Sequence, residues 1–245
     1  MTLSKLIAIS LVMSLISIGP PTASAQLKDF LKSIGDALGG RELSENKIIR
    51  GLKEALQIGT TNAVGIVSKL DGYYKSPTIR IPLPDSVQKV EKILRAVGYG
   101  SKVDAFELSM NRAAERAAPE AKAMFLNAIK QMTFSDAKKI LQGRDNEATL
   151  YFEDKTRGRL HELFQPIVHS AMSEVGVTRW YQELEAKVRS IPFAESLNLD
   201  LDGYVTNKAL DGLFSMVAEE ERKIRQDPAA RITDLLKEVF GGKGR

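Results

Sequence analysis

Residues 160–175 read LHELFQPIVHSAMSEV, and this stretch decides the fold class. Its apolar residues recur at intervals of three and four, which is the period of one face of an α-helix. The same spacing returns in residues 48–70, 87–97, 103–113, 125–132, 213–224 and 232–240. The sequence therefore predicts an all-α fold, with a single multi-helix domain over residues 26–245.

One short segment interrupts the helical pattern. Residues 76–84 read SPTIRIPLP, with prolines at positions 77, 82 and 84. Proline lacks an amide N–H and clashes with the preceding helical turn, so this spacing excludes a regular helix. Residues 78–84 are predicted to form a proline-rich extended segment between an N-terminal hairpin and the following helices.

The first 25 residues have the pattern of a secretory signal peptide. Lys5 supplies a positive charge, Leu6 to Ile18 form an uncharged apolar run of 13 residues, and Ala23-Ser24-Ala25 has the small-x-small pattern of a cleavage site. The run is too short to span a bilayer, which needs about 20 residues. We expect cleavage after Ala25, and a soluble, exported mature chain without a transmembrane segment.

Composition excludes several classes of function. The chain has no cysteine, so disulfides, thiol catalysis and cysteine-based zinc sites are excluded. The formal net charge is +4, but acidic and basic residues are interspersed along the chain, as in EEERK at 219–223, which predicts a solvated surface and no nucleic-acid binding. The sequence has no phosphate loop, dinucleotide fingerprint or nucleophile elbow, and we expect no cofactor.

Two helix starts carry the spacing of a capping box. Thr133 precedes Asp136 by three residues, and Asp85 precedes Gln88 by three. In such a box, two side chains satisfy the unpaired amides at a helix start reciprocally. We expect helices to begin at both places.

The stretch MNRAAERAAPEA at 110–121 gives candidate ligand-binding residues. In one interpretation Asn111, Arg112, Glu115 and Arg116 line a cleft for an anionic group. In the other, which we favour, the alanines allow close packing at a helix corner and Arg112 pairs with a nearby carboxylate. Arg80, in the proline-rich segment, is a further candidate: it presents a charge for binding, or it caps exposed helix carbonyls at the end of the bundle.

Metal sites are predicted to be absent. His161 and His169 lie eight residues apart on one helix, roughly 12 Å, which is too far for one ion. Asn198, Asp200 and Asp202 have the spacing of a calcium loop, but Ala209 stands where the bidentate glutamate should be. We favour an acidic helix cap over calcium binding.

Four strings in this order resemble the bacterial domain-of-unknown-function family 4197. They are IRIPLP at 79–84, MNRAAERAAPEA at 110–121, YVTNKALDGLF at 204–214 and DPAARITDLLKEVF at 227–240. The resemblance covers most of the mature chain from Gly51 onward. It implies a helical, exported protein of Gram-negative bacteria, hence a periplasmic location, and it implies no activity and no catalytic residue.

These observations favour a non-catalytic function. We expect a periplasmic binding or envelope-associated protein whose partner is a small apolar ligand, an anionic ligand or an envelope protein. The alternative is a hydrolase-like enzyme that uses carboxylates with Arg112 or Arg80. A deep cleft lined by titratable groups would favour the enzyme, and an apolar tunnel between helices would favour ligand carriage.

Overall fold

The computed structural model describes residues 45–174, 176, 179–183, 186 and 200–226. The predicted signal peptide over residues 1–25, with its cleavage site before Gln26, lies outside these residues. The described part contains helices and no strand, so the all-α prediction is confirmed. Its helices are α1 (Glu45–Val67), α2 (Asp85–Ala96), α3 (Gly100–Ala117), a 3-10 turn (Ala118–Glu120), α4 (Ala121–Gln131), α5 (Phe134–Gln142), α6 (Glu147–Glu174) and α7 (Leu201–Gln226).

Helix α6 lies at the centre of the packing, as its apolar stripe predicts. Leu160, Phe164, Val168 and Met172 are fully buried, and their spacing of four residues places them on one face. This face packs against both α3 and α7, while α1 packs against α4 and α7. Buried residues of all seven helices join in one hydrophobic core.

An aromatic cluster ties three of these helices together. The ring centroid of Phe125 on α4 lies 5.2 Å from that of Phe152 on α6 and 6.0 Å from that of Phe214 on α7. Tilted contacts at such distances add to the stabilisation from burial. The cluster therefore fixes the relative positions of α4, α6 and α7.

The two predicted capping boxes differ in outcome. At α5 the box forms, since Thr133 Oγ1 accepts from the Asp136 N–H and Asp136 accepts from the Thr133 N–H. At α2 the helix begins at Asp85 as expected, but the box does not form, because Pro84 occupies the N-cap position and makes no side-chain capping bond. Gln88 instead donates from Nε2 to the carbonyl of Leu83, at 2.5 Å. Gly98 follows the end of α2 with φ +91°, which suits glycine.

The proline-rich segment connects α1 to α2. It begins with a turn over residues 77–79, where the Ile79 N–H donates to Ser76 Oγ, so the predicted extended form does not hold at its start. The segment contains no helix, and its side chains alternate in burial. Buried positions are Ile79, Ile81 and Leu83; exposed positions are Thr78, Arg80 and Pro82.

No described helix combines the length and the apolar character needed to cross a bilayer.

Candidate functional site

Three of the four candidate residues in the 110–121 stretch contact the chain between α1 and α2. Ala113, Ala114 and Ala117 are fully buried and let the neighbouring elements approach closely. Asn111, Arg112 and Glu115 lie within about one turn of each other, and all three contact the chain between α1 and α2. We call residues 68–84, between α1 and α2, the loop, and these three residues the loop anchor.

Asn111 pairs with the backbone of Ile81. Its Oδ1 accepts from the Ile81 N–H at 2.8 Å, and its Nδ2 donates to the Ile81 carbonyl at 2.9 Å. Nδ2 also donates to the Glu107 carbonyl at 2.8 Å. Asn111 and Ile81 are almost completely buried, so these bonds replace the backbone pairing that a strand neighbour would supply.

Glu115 holds the start of the loop. Its Oε1 accepts from the amides of Tyr73 at 3.1 Å and Tyr74 at 3.2 Å. Its Oε2 accepts from Arg112 Nη1 at 2.6 Å. The carboxylate is buried, and a buried charge is tolerated only when it is paired and hydrogen-bonded in this way.

Arg112 lies between two carboxylates. Its second nitrogen, Nη2, donates to Asp71 Oδ1 at 2.6 Å, and Asp71 also pairs with Lys75 at 2.7 Å. Asp71 adopts a left-handed backbone conformation, with φ +67°, that aspartate tolerates in turns. Hydrogen bonds from Lys75 and then Arg112 hold the pKa of Asp71 below its usual range. The guanidinium charge is therefore balanced inside the protein.

Arg80 is paired as well. Its Nε and Nη2 donate to the two oxygens of Glu107 on α3, at 2.9 and 2.8 Å. Its guanidinium also lies over the Tyr74 ring, 4.6 Å from the centroid. The bidentate bond to Glu107 is the main reason that the pKa of Arg80 is raised. In the structure Arg80 therefore links the exposed side of the loop to the Glu107 carboxylate on α3. This differs from both predicted alternatives, a charge presented for binding and a cap on helix carbonyls.

Arg116 stands apart from the loop anchor. It donates to Glu174 at the end of α6 at 2.6 Å, and both side chains are 55% exposed. Exposed pairs of this kind contribute little to stability. The structure therefore brings together four of the five predicted residues, Arg80, Asn111, Arg112 and Glu115, and not the fifth.

Two tyrosines and a glycine complete the attachment of the loop to α7. Tyr73 is fully buried and donates to the Ala209 carbonyl at 2.6 Å, while Tyr204 donates to the Pro82 carbonyl at 3.0 Å. Burial raises the pKa of the Tyr73 hydroxyl. A Cβ on Gly212 would lie 2.7 Å from a Tyr73 ring carbon, so only glycine permits this approach. The loop is thus held between α3 and α7.

The acidic residues at the start of α7 form a helix cap and a histidine pair. Asp200 Oδ1 accepts from the Gly203 N–H at 2.9 Å, which caps α7, and Asp202 Oδ2 lies 2.7 Å from His169 Nδ1. Asn198 lies outside the described residues. In the described part of the chain, no three His, Asp or Glu side chains form a group that could hold a metal ion. The absence of calcium binding stays a prediction.

Glu221 is a buried carboxylate that the sequence reasoning missed. Its oxygens accept from the amides of Ala148 and Thr149 at 3.0 and 2.9 Å, and from Arg225 Nη2 at 2.7 Å. It therefore caps the start of α6 from another helix. The prediction of a solvated surface over 219–223 is wrong for Glu220 and Glu221, which are both buried. Each is paired with a distant amide, from the Asn62 side chain or the start of α6, and with a basic residue on the next turn of α7.

Two small depressions lie side by side and are lined by described residues of α1, α6 and α7. One depression of about 200 Å³, including open solvent, lies between α1, α6 and α7. Its lining is mainly apolar and includes Gly59, Phe152, Val217 and Ile224. Glu221 also borders it, but both oxygens of that carboxylate already accept hydrogen bonds.

Comparison with known proteins gives one match. A family model described as a protein of unknown function, DUF4197, matches residues 42–241. No curated protein and no solved structure matches the chain. The matched range includes the loop anchor, the proline-rich segment and α2.

Proposed function

We propose a function from the geometry of the chain itself, because the chain belongs to the DUF4197 family, which is described only as proteins of unknown function. The geometry best supports a non-catalytic binding protein that recognises a partner through its outer surface, and the signal-peptide pattern of residues 1–25 supports its export to the periplasm. The partner is then an envelope protein rather than an enclosed small molecule.

One observation carries this proposal. Each charged candidate side chain already has a partner of opposite charge inside the protein, namely Glu107 for Arg80, Asp71 and Glu115 for Arg112, and Glu174 for Arg116. Asn111 is fully engaged with backbone groups. Arg80, Asn111, Arg112 and Glu115 are therefore engaged in fixing the loop, and Arg116 is paired outside it.

The alternative is a hydrolase that uses Arg80 or Arg112 with carboxylates. Such an enzyme would have to move Arg80 from Glu107, or Arg112 from Asp71, before a substrate anion could bind. Charge-assisted bonds to carboxylates are among the stronger hydrogen bonds in proteins, so this exchange is unfavourable unless the substrate supplies equivalent contacts. The depression between α1, α6 and α7 is not lined by either arginine.

The export part of the proposal rests on the signal-peptide pattern of residues 1–25. Its test expresses the full chain with its own N-terminus, fractionates the cells and sequences the N-terminus of the recovered protein. We expect a periplasmic chain that begins at Gln26, and an uncleaved precursor when Ala25 is replaced by tyrosine. An intact chain beginning at Met1 in the cytoplasm would contradict export.

The binding part has its own test. Native mass spectrometry of the protein from periplasmic extract should show a species heavier than the mature chain. A panel of chromogenic ester, phosphate and glycoside substrates should show no turnover. Hydrolysis that is lost in Arg112→Gln and retained in Arg116→Gln would establish the enzyme instead.

A further inference from the structure

We propose that the turn between α4 and α5 binds an anionic lipid surface, with Phe134 entering the headgroup region and the lysines around it meeting lipid phosphates. The inference goes beyond the proposed function, because it adds a membrane contact to the contact with a partner protein. It is carried by the charge, exposure and pairing of the side chains around this turn.

Positive charge is concentrated in α4 and α5. Residues 121–144 contain five basic residues and one acidic residue, a net charge of +4. The formal net charge of the whole chain is also +4, so the other residues are neutral on balance. A charge excess that is confined to one pair of helices gives their exposed surface a positive potential.

Three lysines surround an exposed phenylalanine at the turn. Phe134, the first residue of α5, is 46% exposed. Lys130 precedes it by four residues near the end of α4, and Lys138 follows it by one helical turn. Lys53 of α1 reaches the same place, since its Nζ donates to the Lys130 carbonyl at 3.4 Å. We call these four residues the basic elbow.

The lysines of the basic elbow are available to an external anion. Lys130 and Lys138 are exposed, and within the described residues none of the three lysines pairs with a carboxylate. Glu54, next to Lys53, is half-buried and lies about 100° further round α1. An ammonium group is a hydrated point charge on a flexible stem, which suits the headgroups of a fluid surface.

The acidic residue of α5 lies on another side of the helix. Asp136 is two residues from Phe134 and two from Lys138, so it points nearly opposite to both. Its Oδ2 accepts from the N–H and the hydroxyl of Thr133, at 2.9 and 2.7 Å. Those hydrogen bonds, and then the charge of Lys155 on α6, hold the pKa of Asp136 below its usual range. This carboxylate is therefore directed toward α6 and away from the basic elbow.

The acidic residues beyond α5 each lie beside a cation. Glu147 is buried and accepts from Arg144 at 3.2 Å. Asp145 is exposed and follows Arg144 in sequence. Asp154 on α6 pairs with Lys155 at 3.2 Å. The lysines of the basic elbow therefore keep their excess of positive charge.

A lipid surface fits this arrangement better than other occupants. One exposed aromatic ring among lysines is the composition of segments that lie in an anionic membrane interface. A single-stranded nucleic acid stacks its bases on several aromatic rings, and the other described aromatic side chains are buried or half-buried. A second copy of the chain would bring like charges together. Neither depression described above is lined by a residue of α4 or α5, so a protein side chain finds no recess there.

The first test measures vesicle binding of the protein purified from cells that express the full chain. Vesicles of phosphatidylethanolamine and phosphatidylglycerol are compared with phosphatidylcholine vesicles by flotation. We expect binding to the anionic vesicles at about 0.1 M salt and its loss at about 1 M, where charges are screened within a few ångströms. Equal binding to both kinds of vesicle, or no binding to the anionic kind, would overturn the proposal.

Charge variants locate the contact. Lys130→Glu and Lys138→Glu should each weaken the partition onto anionic vesicles by about fivefold or more. Lys69→Glu is the matched control, because it changes the net charge equally at an exposed position roughly 20 Å from Lys53, beyond the other end of α1. It should weaken the partition by less than about twofold. All variants share one N-terminus, so residues 1–25 contribute equally. Equal losses in the three variants would overturn the proposal.

A dye at position 134 tests whether this position enters the lipid. The chain has no cysteine, so Phe134→Cys can carry one nitrobenzoxadiazole dye, whose fluorescence rises in apolar surroundings. The matched control is Leu70→Cys, at a position that is 77% exposed in the turn after α1. We expect the fluorescence to rise with anionic vesicles at position 134 and to stay constant at position 70. A constant signal at 134, or an equal rise at 70, would overturn the proposal.

Two further results separate this inference from its rivals. Binding to a labelled single-stranded DNA that Lys138→Glu weakens, with the anionic vesicles left unbound, would assign the basic elbow to nucleic acid and overturn the proposal. A protein complex in native mass spectrometry with unbound vesicles would leave the proposed function standing and refute only the lipid contact. Vesicle binding with the expected variant pattern, but without a complex, would support the lipid contact and refute the protein partner.

Discussion

Replacing Asn111 by alanine tests whether the loop anchor holds the proline-rich segment. The change removes three side-chain hydrogen bonds, two to Ile81 and one to the Glu107 carbonyl. Ile81 is 1% exposed, so water cannot reach its backbone groups unless the loop moves. Leaving the two buried Ile81 backbone groups unpaired costs about 1–3 kcal/mol for each group, or about 2–6 kcal/mol together. Alanine recovers about 0.5 kcal/mol through its higher helix propensity.

The expected net loss in the free energy of unfolding is about 1.5–5.5 kcal/mol. For a chain of this size, that loss lowers the Tm by about 3–22 °C. Urea unfolding followed by far-ultraviolet circular dichroism measures the free energy, with an unchanged m-value as the sign of two-state unfolding. The matched control is Asn127→Ala, an exposed asparagine on α4, which should change stability by less than about 0.5 kcal/mol.

A second measurement locates the effect. Trypsin cleaves after arginine, and Arg80 immediately precedes the anchored Ile81. In the native protein the Ile81 backbone is buried, so cleavage after Arg80 should be slow, and in Asn111→Ala it should be faster. A stability loss below about 1 kcal/mol, with unchanged proteolysis, would refute the reasoning that these bonds hold the loop.

Four further substitutions test other contacts of the fold. Gly212→Ala should lower stability by about 1–3 kcal/mol, because its Cβ would lie 2.7 Å from a tyrosine ring carbon. The added Cβ of Gly158→Ala on α6 meets no atom within 4 Å, so this change should raise stability by about 0.5–1 kcal/mol. Thermal unfolding should therefore show a lower Tm for Gly212→Ala and a higher Tm for Gly158→Ala. Glu221→Ala should cost about 3–5 kcal/mol in urea unfolding, because the α6 amides and its arginine partner lose a buried carboxylate; a loss below about 1 kcal/mol would contradict the cap. Hydrogen bonds from Lys75 and then Arg112 lower the pKa of Asp71. Its ionised form therefore stabilises the fold fully at a pH above the ordinary aspartate pKa of about 4. This stabilisation is lost as the pH falls through the lowered pKa. Asp71→Asn should therefore be less stable at neutral pH and converge with the wild type in acid, as measured by Tm against pH, and a constant difference would exclude this linkage.

The helices could be predicted because their signal is local. The buried positions of α6 repeat every four residues, and this period depends on no other part of the chain. The capping box of Thr133 and Asp136 is local in the same way. The box predicted at Asp85 failed because Pro84, one residue earlier, occupies the cap position and carries no hydrogen-bonding side chain.

The partners of the candidate residues could not be predicted because they are distant in sequence. Asn111 lies 30 residues from Ile81, and Glu115 lies 42 residues from Tyr73. Spacing within α3 shows which residues share a face, but it does not identify the element that the face meets. Glu221 is a stronger case, since its partner amides lie more than 70 residues away and its neighbours in sequence are charged.

The charged candidate residues are committed to contacts inside the fold, and this limits which of them can bind a ligand. Arg112 and Glu115 would attract attention in any sequence, yet here they neutralise each other and hold backbone amides. A group committed in this way can bind a ligand only by releasing the loop, which would expose a buried carboxylate without its partners. Ile93 and Val97 carry no such internal role, because their side chains bury little of their own surface in the fold. Substitutions in the loop anchor should therefore lower stability, whereas Ile93→Ala and Val97→Ala should leave it nearly unchanged.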